Sequence, residues 1–171
     1  DGHKGGTVRA AASAGLLGPD ALLSHCIDLH GDEISAIAES GTKVAHNPSA
    51  NFSIIGRCPA IELMEAGATV AIASDGTAPD RSFDLFRHMV QAMHYHRRHF
   101  RDAKVLPPGK ALEMITCDAA RALGMDKEVG SIEVGKRADI AIVDLRKPYL
   151  WPSDMPLYRL VCFAVGSDVD T

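Results

Sequence analysis

The sequence lacks the features that mark several large functional classes. Its 18 lysines and arginines are outnumbered by 22 acidic residues, for a net charge of −4, so no basic surface for nucleic acid or an anionic membrane is indicated. No apolar run reaches the roughly 18 to 20 residues that a membrane span needs. The N-terminal stretch DGHKGGTVRA is polar and has no charged-then-apolar order of a signal peptide. We therefore expect no nucleic-acid partner and no membrane partner.

Cysteine is also scarce, and the four cysteines are widely scattered at Cys26, Cys58, Cys117 and Cys162. None forms a C-x-x-C pair, which argues against a zinc knuckle or a redox motif. Scattered, reduced cysteines are typical of a reducing compartment, so we expect a cytoplasmic protein. The chain opens on Asp1-Gly2 without a methionine, which we interpret as the middle of a longer protein.

What the sequence does contain is an alternation of short apolar runs and helical patterns. Helices are predicted over 7–18, 31–41 and 59–67, and strands over 21–26, 43–48 and 69–74. This order predicts βαβ units and a parallel sheet. Further helices are predicted over 82–100, 109–116, 118–124 and 156–166, with β structure of a different kind over 130–145.

Each predicted parallel strand ends on a residue that can carry chemistry. His25 and His46 lie near the C-terminal ends of the first and second strands, and Asp75 directly follows the third. Singly, a histidine is usually a satisfied polar group, and an Asp-Gly pair usually caps a turn. Because the carboxyl ends of parallel strands meet at one edge of a sheet, the three together favour an active site. Imidazole and carboxylate groups bind Zn²⁺ or Fe²⁺ and also transfer protons near neutral pH, so a metal-assisted hydrolytic site is predicted.

Three segments carry a resemblance to a known family. They are LLSHCIDLHGDEISAIAESGTKVAHNPSANF, GATVAIASDG and GSIEVGKRADIAIVDL. In this order and at this spacing they resemble the C-terminal half of the amidohydrolase superfamily, in the cytosine-deaminase-like branch that includes triazine hydrolases and S-adenosylhomocysteine deaminases. The resemblance extends from about residue 16 to residue 171.

The resemblance implies an α/β fold in two parts. Residues 1–128 would form the C-terminal part of a (β/α)₈ TIM barrel, about strands six to eight. Residues 129–171 would form a partial composite β-sandwich segment and a C-terminal helix. Because isolated half-barrels expose sheet edges and apolar faces, the chain is expected to need the missing N-terminal half or self-association.

The resemblance also implies roles for the residues at the strand ends. Asp75 corresponds to the aspartate after strand eight, a metal ligand and proton acceptor, and His25 to the catalytic histidine after strand six. His46, Asn47 and Asn51 lie in the strand-seven loop and are expected to bind the small-molecule substrate. The implied reaction is attack of hydroxide, bound to zinc or alternatively iron, on a C–N or similar bond of a small cyclic or amide substrate.

Other functional residues of the family have no counterpart in this sequence. The implied His-x-His pair after strand one is absent, as are the histidine and the deaminase glutamate after strand five. The HYH motif at 94–96 lies in a predicted helix, where residues two apart face different directions. We interpret the polar residues around it as a solvated helix face: His94, His96, Arg97, Arg98 and His99.

Two questions stay open at this point. Deamination is not distinguished from other hydrolysis, because the glutamate that accompanies deamination is absent. The chain alone is expected to be inactive, and the alternative to an enzyme portion is a non-catalytic half-barrel or scaffold module that needs a partner chain.

Overall fold

A three-stranded parallel sheet lies at the centre of the structure, a computed structural model that describes residues 6–77, 82–151 and 154–171. The strands are β1 (Leu22–Ser24), β2 (Lys43–His46) and β3 (Val70–Ile72), in the order β1-β2-β3. Both pairs are parallel. The predicted alternation of helices and parallel strands is therefore confirmed, and the three carboxyl ends share one edge of the sheet.

Eight α-helices accompany the sheet within the described ranges. They are α1 (Thr7–Ser13), α2 (Gly31–Ser40), α3 (Pro48–Ala50), α4 (Ala60–Glu65), α5 (Leu85–Phe100), α6 (Pro108–Ile115), α7 (Cys117–Ala122) and α8 (Pro156–Phe163). A π-helical turn over Asn51–Ile55 follows α3, and short 3₁₀ turns cover Pro148–Leu150 and Gly166–Asp168.

The helix ends follow local sequence signals. Helix α2 begins where the backbone N–H of His30 donates to the Glu33 carboxylate at 3.0 Å, and it ends at Gly41, whose φ of 72° suits a residue without a Cβ. Helix α5 begins at Asp84, whose carboxylate accepts from the N–H of Phe86 at 3.0 Å. These caps make both helices begin where the sequence predicts a helix, within three residues.

One element after β2 is missing from the sequence prediction. The strand predicted over 43–48 includes Pro48, yet Pro48 opens helix α3, which continues into the π-helical turn. Proline fits this place because the first turn of a helix needs no N–H at that position. The turn brings Asn51 back towards the sheet edge, so this segment matters for the site.

The core lies between the sheet and the helices that cover it, with α5 and α6 packed on β3. Strand β3 is buried along its whole length, as its unbroken apolar run predicts. The side chains at the centre of this core are almost completely buried: Ile37, Val44, Leu63, Val70, Met89, Met93 and Met114.

The β structure predicted over 130–145 is largely wrong for the described residues. An isolated antiparallel bridge joins Val143 to Val169, and Ile142 exchanges backbone hydrogen bonds with the chain end at 2.8 and 2.9 Å. Residues 130–142 form no strand, and Val134 is fully exposed. A strand needs a partner strand to accept and donate its ladder hydrogen bonds. Among the described residues, positions 168–171 are the ones that pair in this way, and they reach only residues 142–144. The predicted helix over 156–166 is confirmed as α8.

None of the described helices is long and apolar enough to cross a bilayer. The four cysteines are unpaired, and Cys26 and Cys58 are buried in the core.

Candidate active site

His25 stands just beyond β1 on an unusual stretch of backbone. The N–H of His25 still donates to the carbonyl of Ala45 at 3.1 Å, so the hydrogen bonds of the sheet fix where this stretch of backbone begins. His25, Cys26 and Asp28 then adopt left-handed φ values of 66°, 47° and 52°. Non-glycine residues in this region cost about 1–3 kcal/mol each and persist only where surrounding contacts hold them. The turn that presents the His25 ring is therefore imposed by its neighbours.

Asp75 occupies the matching place beyond β3, again with a left-handed φ, of 62°. Its Oδ1 accepts from the N–H of Gly76 at 2.6 Å, which is the turn-capping contact. Its Oδ2 lies 3.5 Å from Nε2 of His25. The two explanations of the Asp-Gly pair therefore hold together, because one carboxylate oxygen caps the turn while the other faces the histidine.

Two buried asparagines contact the opposite side of the His25 ring. Oδ1 of Asn51 lies 3.2 Å from Nδ1 of His25, and Nδ2 of Asn47 lies 3.4 Å from the same atom. Asn47 also donates to the Ser24 hydroxyl at 2.8 Å. Nδ1 of His25 can therefore donate to the Asn51 amide oxygen or accept from the Asn47 amide, and in both cases Nε2 is directed at Asp75.

The His25–Asp75 pair suits proton transfer. Both side chains are about one-third exposed, at 29% and 33%, so a solute can reach them. One imidazole nitrogen and one carboxylate oxygen lie close enough to pass a proton with little movement. The sequence does not predict the role of Ser24, whose hydroxyl accepts the hydrogen bond from Asn47.

His46 differs from the prediction that it lines a substrate pocket. Its ring is fully buried, and its Nε2 lies 3.2 Å from Nε2 of His96, which is also fully buried. Burial lowers the pKa of His46 to about 3, with smaller contributions from His96 and His25, and lowers the pKa of His96 to about 4, with a smaller contribution from Arg57. Both rings are therefore neutral at pH 7.

The solvated helix face predicted for residues 94–99 is wrong for His96. His94, Arg98 and His99 are exposed, whereas Arg97 is half-buried and donates to the carbonyls of Val105 and Leu106. The signal for His96 was available in the sequence. Positions 88, 92 and 96 repeat every four residues beside Met89 and Met93, which places His96 on the buried stripe of the helix.

We expect this histidine pair to make the fold sensitive to mild acid. The folded-state pKa values lie below the ordinary 6.5, so stability is fully present above pH 6.5 and is lost as the pH falls towards 4. By pH 5 the loss should reach about 2 kcal/mol for each imidazole. Urea unfolding at pH 7 and pH 5 measures it. The loss should shrink in His96→Phe and stay unchanged in the exposed control His94→Phe; equal losses in all three proteins would contradict the assignment.

The described residues hold no group of three or more His, Cys, Asp or Glu side chains able to share a metal ion. A cavity of about 590 Å³ lies between α6, α7 and the segment 129–143, away from His25 and Asp75. A smaller cavity of about 200 Å³ between α1 and β1 includes His25 in its wall. The site is therefore an open edge of the sheet, separate from the 590 Å³ cavity.

Comparison with known proteins now assigns the fold. Residues 1–168 match the sequence profile of the Amidohydrolase family. The chain belongs to the amidohydrolase family. This confirms the resemblance carried by the three sequence segments.

Curated members of the amidohydrolase family resemble the chain over most of its length. The 5-methylthioadenosine/S-adenosylhomocysteine deaminase of Moorella thermoacetica is 40% identical over 158 residues, which is 92% of this chain and 37% of the relative. The 5'-deoxyadenosine deaminase of Methanosarcina mazei is 38% identical, over 96% of this chain and 38% of its own length. The chain therefore spans somewhat over a third of the curated amidohydrolases it matches.

Solved amidohydrolase structures match in the same way. An adenosine deaminase from Xanthomonas campestris with bound zinc superposes with a TM-score of 0.91 at 33% identity, covering 95% of this chain and 37% of that protein. An atrazine chlorohydrolase from Arthrobacter aurescens complexed with zinc gives a TM-score of 0.87 at 25% identity, covering 94% and 36%. The amidohydrolase fold of this chain is thus shared with enzymes of both kinds.

Proposed function

We propose that this chain is the C-terminal portion of a metal-dependent amidohydrolase that hydrolyses a C–N bond of a small, nitrogen-containing cyclic substrate. The observation that carries the proposal is the approach of His25 Nε2 and Asp75 Oδ2 to 3.5 Å from the ends of two strands that are not adjacent. Family membership and the position of this pair at the carboxyl edge of a parallel sheet support it.

Asp75 would supply one ligand of the metal site. The Asp75 carboxylate is a ligand type that zinc and iron both accept, and its Oδ2 is directed out of the turn towards His25. No other described residues complete a group of three, so Asp75 would hold the metal with ligands from outside this chain. When bound, zinc, or alternatively iron, would lower the pKa of water towards about 7 and make a nucleophile available at neutral pH.

In this proposal Asp75 transfers protons, and His25 stabilises the negative charge that develops on the substrate. Asp75 accepts a proton from the attacking water and delivers it to the leaving nitrogen, so that water and an amino-substituted carbon give a carbonyl group and ammonia. His25, whose Nδ1 faces Asn47 and Asn51, carries a proton on Nε2 in this step and donates a hydrogen bond from it to the attacked group, which stabilises negative charge there.

The asparagines and His46 have separate roles in this proposal. Asn47 and Asn51 are almost completely buried and contact His25. Their main contribution to substrate binding is therefore to hold the His25 ring in place. His46 was predicted to bind substrate directly, but its complete burial favours a supporting role behind the pocket.

An aminated purine nucleoside is the substrate class that the comparisons favour. The relatives at 36–40% identity are deaminases of adenosine derivatives, whereas the triazine hydrolases match at 25%. The deaminase glutamate has no counterpart in this sequence, so it would come from the remainder of the protein.

Ammonia release by the full-length protein tests this proposal. With zinc supplied, we expect deamination of at least one of 5'-methylthioadenosine, S-adenosylhomocysteine, 5'-deoxyadenosine and adenosine. Removal of the metal with a chelator should abolish the activity, and added zinc should restore it. Activity on a triazine alone would reassign the substrate class, and no activity on any of these compounds would overturn the proposed reaction.

The division into a partial barrel over 1–128 and a sandwich segment over 129–171 belongs to the same proposal. It is supported by apolar side chains that protrude from the second part, with Ile132 85% exposed and Ile140 half-exposed. Such surfaces need cover from the N-terminal half or from a second copy. The same exposed surfaces also favour the second candidate function, a non-catalytic module that needs a partner chain. The coding sequence upstream distinguishes the two functions. A His-x-His at the end of a predicted strand there would favour the enzyme, and the absence of such a motif would favour the module.

A further inference from the structure

Helix α5 contributes a side chain that the proposed reaction does not use, the buried His96. Its Nε2 lies 3.2 Å from Nε2 of His46, with the two ring centroids 5.1 Å apart. Since a neutral imidazole has one N–H and one lone pair, one ring donates and the other accepts. The Nδ1 atoms of both rings are buried without a hydrogen-bond partner in the described parts of the chain. The Nε2–Nε2 hydrogen bond is therefore the polar contact that fixes these two rings.

His46 is the last residue of β2, and the chain beyond it carries both asparagines of the site. Asn47 follows directly and contacts Nδ1 of His25 at 3.4 Å. Asn51 lies one turn further on and contacts the same atom at 3.2 Å. A shift of the end of β2 would therefore move both groups that hold the His25 ring.

The same helix holds the far end of this segment. The ring of Tyr95 packs edge-to-face on Phe52, with centroids 5.7 Å apart, and Phe52 is the neighbour of Asn51. Tyr95 also packs on the rings of His46 and His96. Helix α5 thus contacts the segment 46–52 at both ends, through His96 on His46 and through Tyr95 on Phe52. Asn47 and Asn51 lie between these two contacts.

We propose that His96 is a positioning residue, which fixes His46 and so orients the His25 ring towards Asp75 through Asn47 and Asn51. The proposal rests on the proposed function for its effect on catalysis, but the orientation of His25 can be measured without any turnover. It assigns this role to His96 among the histidines of α5, since His94 and His99 are exposed and the buried His88 contacts Gln91 and the carbonyl of Ser82.

The test compares four zinc-loaded, full-length proteins: wild type, His96→Phe, His96→Gln and His94→Phe. Phenylalanine keeps the aromatic volume and removes the hydrogen bond, whereas glutamine places an amide near the position of Nε2 and can restore it. The kinetics are kcat and KM normalised to bound zinc. The independent readout is the tautomer and orientation of His25, taken from its ring ¹⁵N signals, which a His25→Gln spectrum assigns.

We expect His96→Phe to lower kcat about 10- to 100-fold with KM changed less than about 3-fold, the scale of a misplaced reacting group. Its His25 ring signals should change, His96→Gln should recover both quantities, and His94→Phe should match wild type. Unchanged His25 signals in His96→Phe would overturn the proposal, whatever the activity. If His96→Phe does not fold, His96→Asn, whose shorter amide does not reach His46 Nε2, replaces it: altered His25 signals support the proposal, and unaltered ones overturn it.

The kinetic and spectroscopic results separate two failures. If His25→Ala keeps normal kcat, the proposed function fails, while the ring signals still decide whether His96 positions His25. If His25→Ala is inactive but the ring signals do not respond to His96, only the positioning role is overturned.

Discussion

Asp75→Asn in the full-length protein is expected to lower kcat at least about 100-fold, the scale of losing a positioned acid–base group. Asparagine has nearly the same shape, so its amide oxygen can still accept from the N–H of Gly76 and keep the turn. What is lost is the negative charge and the proton acceptor that face His25 Nε2. His25→Ala should cause a loss of the same order, because it removes the other half of the pair.

Steady-state kinetics at saturating zinc, together with circular dichroism spectra, measure this effect. Asp102→Asn is the matched control for Asp75, since Asp102 also caps its own turn, accepting from Lys104 N–H at 2.8 Å, and lies on the exposed surface. The exposed His94→Ala is the control for His25→Ala. Near-normal kcat in Asp75→Asn would mean that the carboxylate only caps its turn, and the same result in His25→Ala would remove that residue from the reaction.

The 171-residue chain by itself is expected to show no turnover of any amide or aminated heterocycle. A catalytic zinc site usually has three or more protein ligands, whereas the described residues contain no group of three candidates.

Purified chain with zinc supplied, assayed for ammonia release beside the full-length protein, tests this expectation. Zinc should restore a chelated full-length protein and leave the isolated chain inactive. Activity from the isolated chain that Asp75→Asn abolishes would show that fewer ligands suffice, and would contradict the need for a missing half.

The sequence predicts the sheet and the two reactive residues of the site, His25 and Asp75, for a simple physical reason. Short apolar runs between helical patterns specify parallel strands, and the residues that follow such strands must meet at one edge. This reasoning predicts that His25 and Asp75 lie close together, and the 3.5 Å between Nε2 and Oδ2 agrees with it. The strand that bears Asp75 is buried as its composition requires.

Other parts of the site depend on contacts that local patterns do not contain. His96 lies 50 residues beyond His46, and a charged run around it suggests solvent exposure until the four-residue spacing of α5 is considered. The π-helical turn that returns Asn51 to His25 has no comparable sequence signal. The apolar run at 140–143 predicts a strand, but a strand forms only where a partner edge is available.

The left-handed backbone at His25, Cys26, Asp28 and Asp75 limits how this site can be transplanted. Grafting only a histidine and an aspartate onto the strand ends of an idealised α/β scaffold would aim both side chains elsewhere, because such scaffolds avoid positive φ at non-glycine residues. A graft would have to carry the turn 25–28, the Asp75–Gly76 turn and the buried supports around them as one unit. The unit of design is thus the loop backbone with its packing, because that backbone determines where the two reactive side chains point.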